Sequence, residues 1–168
     1  GVRSYCFSEM FKKGGVGLFE RYLIEHCSPT LASLKTANLF RLIGSTDREL
    51  ERQIAYWNIK LGEKGISVIA LRFQEQAALI YVFRKSHLQA DLHKPGVARF
   101  LKKYGYQQID VDHAIGRLKS RFEVDQTFPH EIGIFLGYPL GDVLGFIQNE
   151  GKNSKCTGCW KVYCEEAE

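Results

Sequence analysis

The sequence predicts an α+β fold, a single compact domain with about four mainly antiparallel strands and helices packed around them. Apolar side chains recur at helical spacing in the N-terminal third, which predicts amphipathic helices. Two short apolar runs at 66–73 and 79–84, rich in β-branched residues, predict a β-hairpin. No repeat or linker interrupts the chain, so we expect one domain over residues 1–168, with residues 1–14 irregular.

Three helices are predicted before the hairpin. The first covers residues 16–26, where apolar side chains repeat with the period of an α-helix. Ser28 suits an N-cap and Pro29 suits the first helical position, so we expect a second helix that ends at Gly44. A third helix over 46–62 begins with the capping-box pattern Thr-Asp-Arg-Glu.

Further helices and strands are predicted after the hairpin. Both faces of the hairpin strands are apolar, so we expect helices to cover at least part of the sheet on both sides. The remaining predicted elements are a helix over 86–104 that breaks near Pro95, a helix over 111–122, a strand over 130–137, a helix over 139–148 and a strand over 159–164.

Composition and charge narrow the possible classes of protein. Hydrophobic residues make up 45% and charged residues 25% of the 168-residue chain, which argues against a disordered protein. No apolar run is long enough to span a bilayer, and the N-terminus lacks the apolar segment of a signal peptide. We therefore expect a cytoplasmic protein without a membrane partner. The net charge of +4 is spread along the chain, which argues against nucleic acid as a partner.

Cys27 is the candidate nucleophile of the sequence. A thiol beside a helix N-terminus loses its proton more readily, because the helix dipole favours the thiolate. His130, at the start of a predicted strand, is the candidate base, and His26 is a second candidate. Asp142 or Asn153 could orient the histidine. The nucleophile is the alternative interpretation: the preferred one is that Cys27 fills a corner of the core, because free cysteine is among the most buried residue types.

The C-terminal cysteines form a candidate metal site. Cys156 and Cys159 form a CxxC motif, and together with Cys164 they could bind zinc or an iron–sulfur cluster. A structural zinc site usually has four ligands, and the chain has no second CxxC motif. The motif precedes a predicted strand, which does not fit a redox-active CxxC. We therefore predict no cofactor, with a metal at these three cysteines as the alternative.

A separate group of residues suits a small ligand. The loop over 151–158 contains glycines, Lys152 and Asn153, and backbone N–H groups at the start of the preceding helix could join them around an anion or a phosphorylated molecule. Tyr138 and Trp160 offer aromatic surfaces for an apolar pocket. The alternatives are a solvated turn and ordinary core aromatics.

Two segments of the chain resemble a known family. The segment over 128–163, FPHEIGIFLGYPLGDVLGFIQNEGKNSKCTGCWKVY, resembles the signature block of domain-of-unknown-function family 3793, and HCSPTLASLKTANLF over 26–40 resembles its second marker. The resemblance implies a small soluble bacterial protein from a family with no settled activity. It also implies an aromatic residue where this chain has Cys159, which weakens the case for a metal there. A further helix is implied after the Trp-Lys-Val-Tyr segment, so we expect the native chain to continue past Glu168.

These observations predict a non-enzymatic module that binds a small molecule or a protein partner. The alternative is a cysteine-dependent hydrolase or transferase with Cys27 as the nucleophile and His130 as the base. The sequence leaves the ligand and the oligomeric state open.

Overall fold

The computed structural model describes residues 17–74, 77–124 and 128–149. The chain divides into two compact units, Gly1–Arg84 and Lys85–Glu168. The predicted α+β class is confirmed, because the described residues form helices and a three-stranded antiparallel sheet. A single domain over the whole chain stays a prediction.

The first unit contains the sheet. Strand β3 lies in the middle, with β1 and β2 antiparallel to it on either side, and the predicted β2–β3 hairpin is confirmed. The described elements of this unit are α1 (Leu18–Leu31), β1 (Ala37–Ile43), α2 (Asp47–Gly62), β2 (Ile66–Gln74) and β3 (Ala77–Arg84).

Helix α1 continues through the position where the sequence predicts one helix to end and another to begin. Cys27 and Pro29 both lie inside it. Pro29 lies in the last turn, where its missing N–H removes one intrahelical hydrogen bond. The Ser28 hydroxyl donates to the carbonyl oxygen of Ile24 in the preceding turn instead of capping a new helix. The predicted helix start at Ser28 and Pro29 is therefore wrong.

Strand β1 occupies residues that the sequence predicts to be helical. It pairs along its whole length with residues 77–83 of β3. Leu39 and Leu42 fit helical spacing, but so short an apolar run is also compatible with a strand. Pairing with the central strand decides between the two, because strand formation depends on neighbours across the sheet. The predicted second helix ending at Gly44 is therefore wrong.

Helix α2 confirms the third predicted helix. The Thr46 side chain accepts a hydrogen bond from the backbone N–H of Glu49 at 3.2 Å, as expected of an N-cap. Asn58, further along the helix, binds the edge of β2: its amide group donates to the Val68 carbonyl oxygen at 2.7 Å, and its oxygen accepts from the Val68 N–H at 2.8 Å. These two bonds fix α2 against an edge strand.

The core cluster of the first unit lies on one face of the sheet, although the opposite face also carries buried side chains such as Leu39 and Tyr81. Helix α1 contacts β1, and α2 contacts β2. Burial of apolar surface between the helices and the face that carries the core cluster is the main stabilising contribution of the unit. The buried core side chains are Phe19, Leu23, Cys27, Leu31, Phe40, Leu42, Leu50, Trp57, Leu61, Ile66, Val68, Ala78, Ile80 and Val82.

The described part of the second unit is helical. The predicted break near Pro95, the helix from Val111 and the helix after Pro139 are confirmed. No helix among the residues described in either unit is long and apolar enough to cross a membrane. The described elements of the second unit are α3 (Lys85–Leu92), α4 (Val97–Lys102), α5 (Val111–Val124), α6 (Ile132–Phe135) and α7 (Leu140–Asn149).

The predicted strand over 130–137 is wrong, because the structure has a turn and the short helix α6 there. The backbone N–H of Ile132 donates to the Pro129 carbonyl oxygen at 3.1 Å, which closes the turn. Residues 131–136 are all buried, so their apolar pattern carries no period that separates helix from strand. The predicted strand over 159–164 lies outside the described residues.

A polar network fastens α5 to the start of α6. Arg121 donates to both carboxylate oxygens of Glu131, at 2.9 and 3.2 Å, and its guanidinium lies 5.1 Å from the centre of the Tyr104 ring. Arg117 donates to the Tyr104 carbonyl oxygen at 2.9 Å. Gly105 has φ +88°, a backbone conformation that L side chains rarely adopt, so another residue there would be strained. The network therefore holds the loop before α5 as well as α6.

Candidate functional site

Cys27 has the buried environment expected of a core residue, and not the helix-start environment expected of a reactive thiol. It lies within α1, in contact with the apolar core, and none of its surface is exposed. Burial raises the pKa of its thiol, an effect that the charge of Lys35 offsets only in part. The argument for an acidic thiol at a helix start therefore fails, and Cys27 packs as a small apolar residue.

Iodoacetamide is expected to leave Cys27 unmodified in the native protein at neutral and mildly alkaline pH, because a buried thiol with a raised pKa forms little thiolate. Mass spectrometry of the peptide that contains Cys27, before and after addition of urea, measures the modification. The unfolded protein is the control and should react fully. Modification of the native protein at the rate of the unfolded one would contradict the burial.

The two predicted partners of Cys27 lie in different units. His26 lies in α1 of the first unit, where its ring stacks on those of Tyr22 and Phe40 at centroid distances of 5.4 and 6.1 Å. His130 is exposed in the turn before α6 in the second unit. Its role as a base stays a prediction, and so does the pair that it would form with Cys27.

Most of the other predicted site residues lie outside the described residues. Tyr138 is partly buried, and its backbone N–H donates to the Gly133 carbonyl oxygen at 3.0 Å. Within the described ranges, no three His, Cys, Asp or Glu side chains lie together where they could hold a metal ion. The ligand and metal roles stay predictions for the residues that are not described, which are Lys152, Asn153, Trp160, Cys156, Cys159 and Cys164.

A row of side chains across the sheet brings two arginines onto one face. Arg41 of β1 and Arg72 of β2 both lie opposite Leu79 of the central strand. The core faces the other side of the sheet, where Phe40, Leu42 and Ile80 lie. Because residues opposite each other in a sheet share a face, Arg41, Leu79 and Arg72 all point away from that core. We call these three residues the arginine row.

The arginine row concentrates positive charge on a partly exposed surface. Neighbouring strands lie about 4.8 Å apart, so the Cα atoms of Arg41 and Arg72 are separated by roughly 10 Å. Long side chains from positions this close can converge above Leu79. Burial, and then the charge of Arg41, lower the pKa of Arg72, which shows that the two cations influence each other.

Sequence reasoning did not find the arginine row. Residues 37–43 were predicted as a helix, so Arg41 had no place in the sheet. Arg72 interrupts the apolar run of a correctly predicted strand, and that interruption is the available signal. A β-bulge between Ala70 and Arg72 also shifts the register by one residue, which no local pattern reveals. Recognition of the row requires the strand order and the register.

The fold and the arginine row define an α+β protein with a candidate anion-binding sheet face. The chain belongs to the family described as "Protein of unknown function (DUF3793)", which matches residues 23–168. This confirms the resemblance recognised in the sequence. No curated protein and no solved structure matches the chain.

Proposed function

We propose that the first unit binds a small anionic molecule through Arg41 and Arg72, as a non-enzymatic binding module. One observation carries the proposal: the sheet register places both arginines on one face, on either side of Leu79. Two cations held close together repel each other, and an anion between them replaces that repulsion with two attractions. The side chains of Arg41 and Arg72 are partly exposed, so a ligand can reach them.

A phosphate or carboxylate group suits this arrangement. The planar guanidinium group of arginine donates two parallel hydrogen bonds to such an oxyanion, and these charge-assisted bonds are roughly twice as strong as neutral ones. Leu79 lies beneath the proposed position of the anion and excludes water from one side, which strengthens both contacts. We propose a cytoplasmic small molecule as the partner. Tyr138 and the predicted ligand residues after it form a separate group.

Titration with inorganic phosphate tests the proposal. Amide NMR signals of Arg41, Leu79 and Arg72 should shift together with one dissociation constant. Because each arginine contributes hydrogen bonds between charged groups, Arg41→Gln or Arg72→Gln should weaken binding roughly 10- to 100-fold. The double variant, with both Arg41→Gln and Arg72→Gln, should not bind phosphate.

Arg48→Gln is the matched control. Arg48 is exposed on α2 in the same unit, so this variant changes the net charge by the same amount away from the arginine row. It should bind phosphate as the unmodified protein does. Unchanged phosphate affinity in the paired Arg41→Gln and Arg72→Gln variant, or equal loss in Arg48→Gln, would overturn the proposal.

A further inference from the structure

We infer that the ligand of this face is an amphipathic anion, a small molecule whose anionic group lies between Arg41 and Arg72 and whose apolar part lies on Ile43 and Ala77. The inference rests on the proposed anion site and adds the chemical class of the ligand. It commits to a free small molecule and not to a lipid surface.

An apolar pair stands beside the arginine row. Ile43 of β1 lies directly opposite Ala77 of β3. These residues are two positions along their strands from Arg41 and Leu79, so they share the face of the arginine row. On the other side of Ala77, Gln74 of β2 is polar and exposed. The apolar surface therefore extends toward the side of β1.

Ile43 is exposed over 55% of its surface, although its neighbour Leu42 in the same strand is buried. Covering an exposed apolar side chain with another apolar group is favourable, because both surfaces are then removed from water. An arginine side chain also carries an aliphatic stem, and Arg41 brings one to a position two residues along β1 from Ile43. The two arginines and the apolar strip formed by Ile43 and Ala77 are thus neighbours on one face of the sheet.

Charge decides which occupant fits. Two arginines beside the strip favour a partner that is negative at one end and apolar at the other. A neutral apolar ligand would make no use of the two positive charges, and inorganic phosphate alone would leave Ile43 in water. An alkyl phosphate or a short-chain carboxylate matches both parts of the surface.

A series of alkyl phosphates tests the inference. Methyl, butyl and hexyl phosphate differ only in the length of the apolar chain. Each methylene that becomes buried should strengthen binding up to about fourfold, so butyl phosphate should bind more than about tenfold tighter than methyl phosphate. Isothermal titration calorimetry measures the dissociation constants.

Ile43→Thr keeps the β-branched shape that suits a strand and removes most of the apolar surface. It should leave the affinity for methyl phosphate unchanged and flatten the dependence on chain length. Ile59→Thr is the matched control, because Ile59 on α2 is 76% exposed and away from the sheet. In this control the affinity should depend on the length of the alkyl chain as it does in the unmodified protein.

Three outcomes would overturn the inference while leaving the anion site intact. Equal affinities along the alkyl series would do so, as would an unchanged dependence in Ile43→Thr. The third outcome combines two results: the protein binds phosphatidylserine vesicles but Ile43→Thr does not, and the free phosphates show no chain-length preference. Ile43 and Ala77 would then contact a lipid surface. Failure of methyl phosphate to bind at all would instead overturn the proposed function.

Discussion

Replacement of Arg121 by methionine is expected to lower the free energy of unfolding by about 3 kcal/mol, because it leaves the buried carboxylate of Glu131 without its partner. The Glu131 side chain has no exposed surface, whereas that of Arg121 is 24% exposed. Breaking a buried ion pair costs about 3–5 kcal/mol, and the partial exposure of Arg121 places the expected cost at the lower end. Urea unfolding followed by circular dichroism measures the change.

The reciprocal variants separate the lost charge from the lost packing. Glu131→Gln should cost less than Arg121→Met, because the partly exposed Arg121 can turn its charge toward water. Adding Glu131→Gln to Arg121→Met should recover part of the lost stability, because no buried charge then remains. Arg99→Met is the control: Arg99 is exposed on α4, so its loss should change stability by less than about 0.5 kcal/mol. A cost for Arg121→Met no greater than that of the control would contradict the prediction.

The network around Arg121 is consistent with a turn and the helix α6, and not a strand, over residues 130–137. Glu131 is the N-cap residue of α6, and its carboxylate is directed to Arg121 instead of to the amides of its own helix. Tyr106 is buried nearby, and burial together with the charge of Glu131 raises the pKa of its hydroxyl. A strand would turn neighbouring side chains to opposite faces, whereas the turn allows residues 131–136 to be buried together.

Local signals in the sequence were sufficient for much of the fold. The capping box at Thr46, the break near Pro95 and the helix start at Asp110 each depend on hydrogen bonds within a few residues, so their patterns predict the observed elements. The hairpin was predictable for a similar reason, because β2 and β3 are adjacent in the chain. These elements did not require knowledge of distant contacts.

The errors arose where distant contacts decide the local structure. Residues 37–43 have no strand neighbour nearby in sequence and become a strand by pairing with β3, across the whole of α2 and β2. Ser28 and Pro29 form a strong helix-start signal, but α1 accommodates both in its last turn. The error at Ser28 also produced the argument for a reactive Cys27. The position of this one helix end therefore determines both the predicted fold around residue 28 and whether Cys27 is a candidate nucleophile.

Arg84→Met is expected to lower the free energy of unfolding by about 3 kcal/mol, because the Arg84 side chain binds three backbone carbonyl oxygens. Each hydrogen bond from a charged donor contributes about 1.5–3 kcal/mol, and the three contributions do not add fully. Its guanidinium donates to Thr30 and Leu31 at 2.8 and 2.9 Å and to Lys64 at 2.9 Å. The first two carbonyls end α1, and the third lies in the turn after α2. One side chain at the end of β3 thus joins both helices to the sheet.

Arg84→Lys distinguishes geometry from charge, and the same unfolding measurement applies. A lysine keeps the positive charge near the C-terminal end of α1, which the helix dipole favours. Its single ammonium group lacks the planar fork that reaches carbonyls in three directions, so we expect it to recover less than half of the loss. Arg48→Met, an exposed change in the same unit, should have almost no effect. Full recovery by lysine would mean that charge alone stabilises this junction. Partial recovery would show that the end of α1 is stabilised by a hydrogen-bonding geometry supplied by a residue more than fifty positions away.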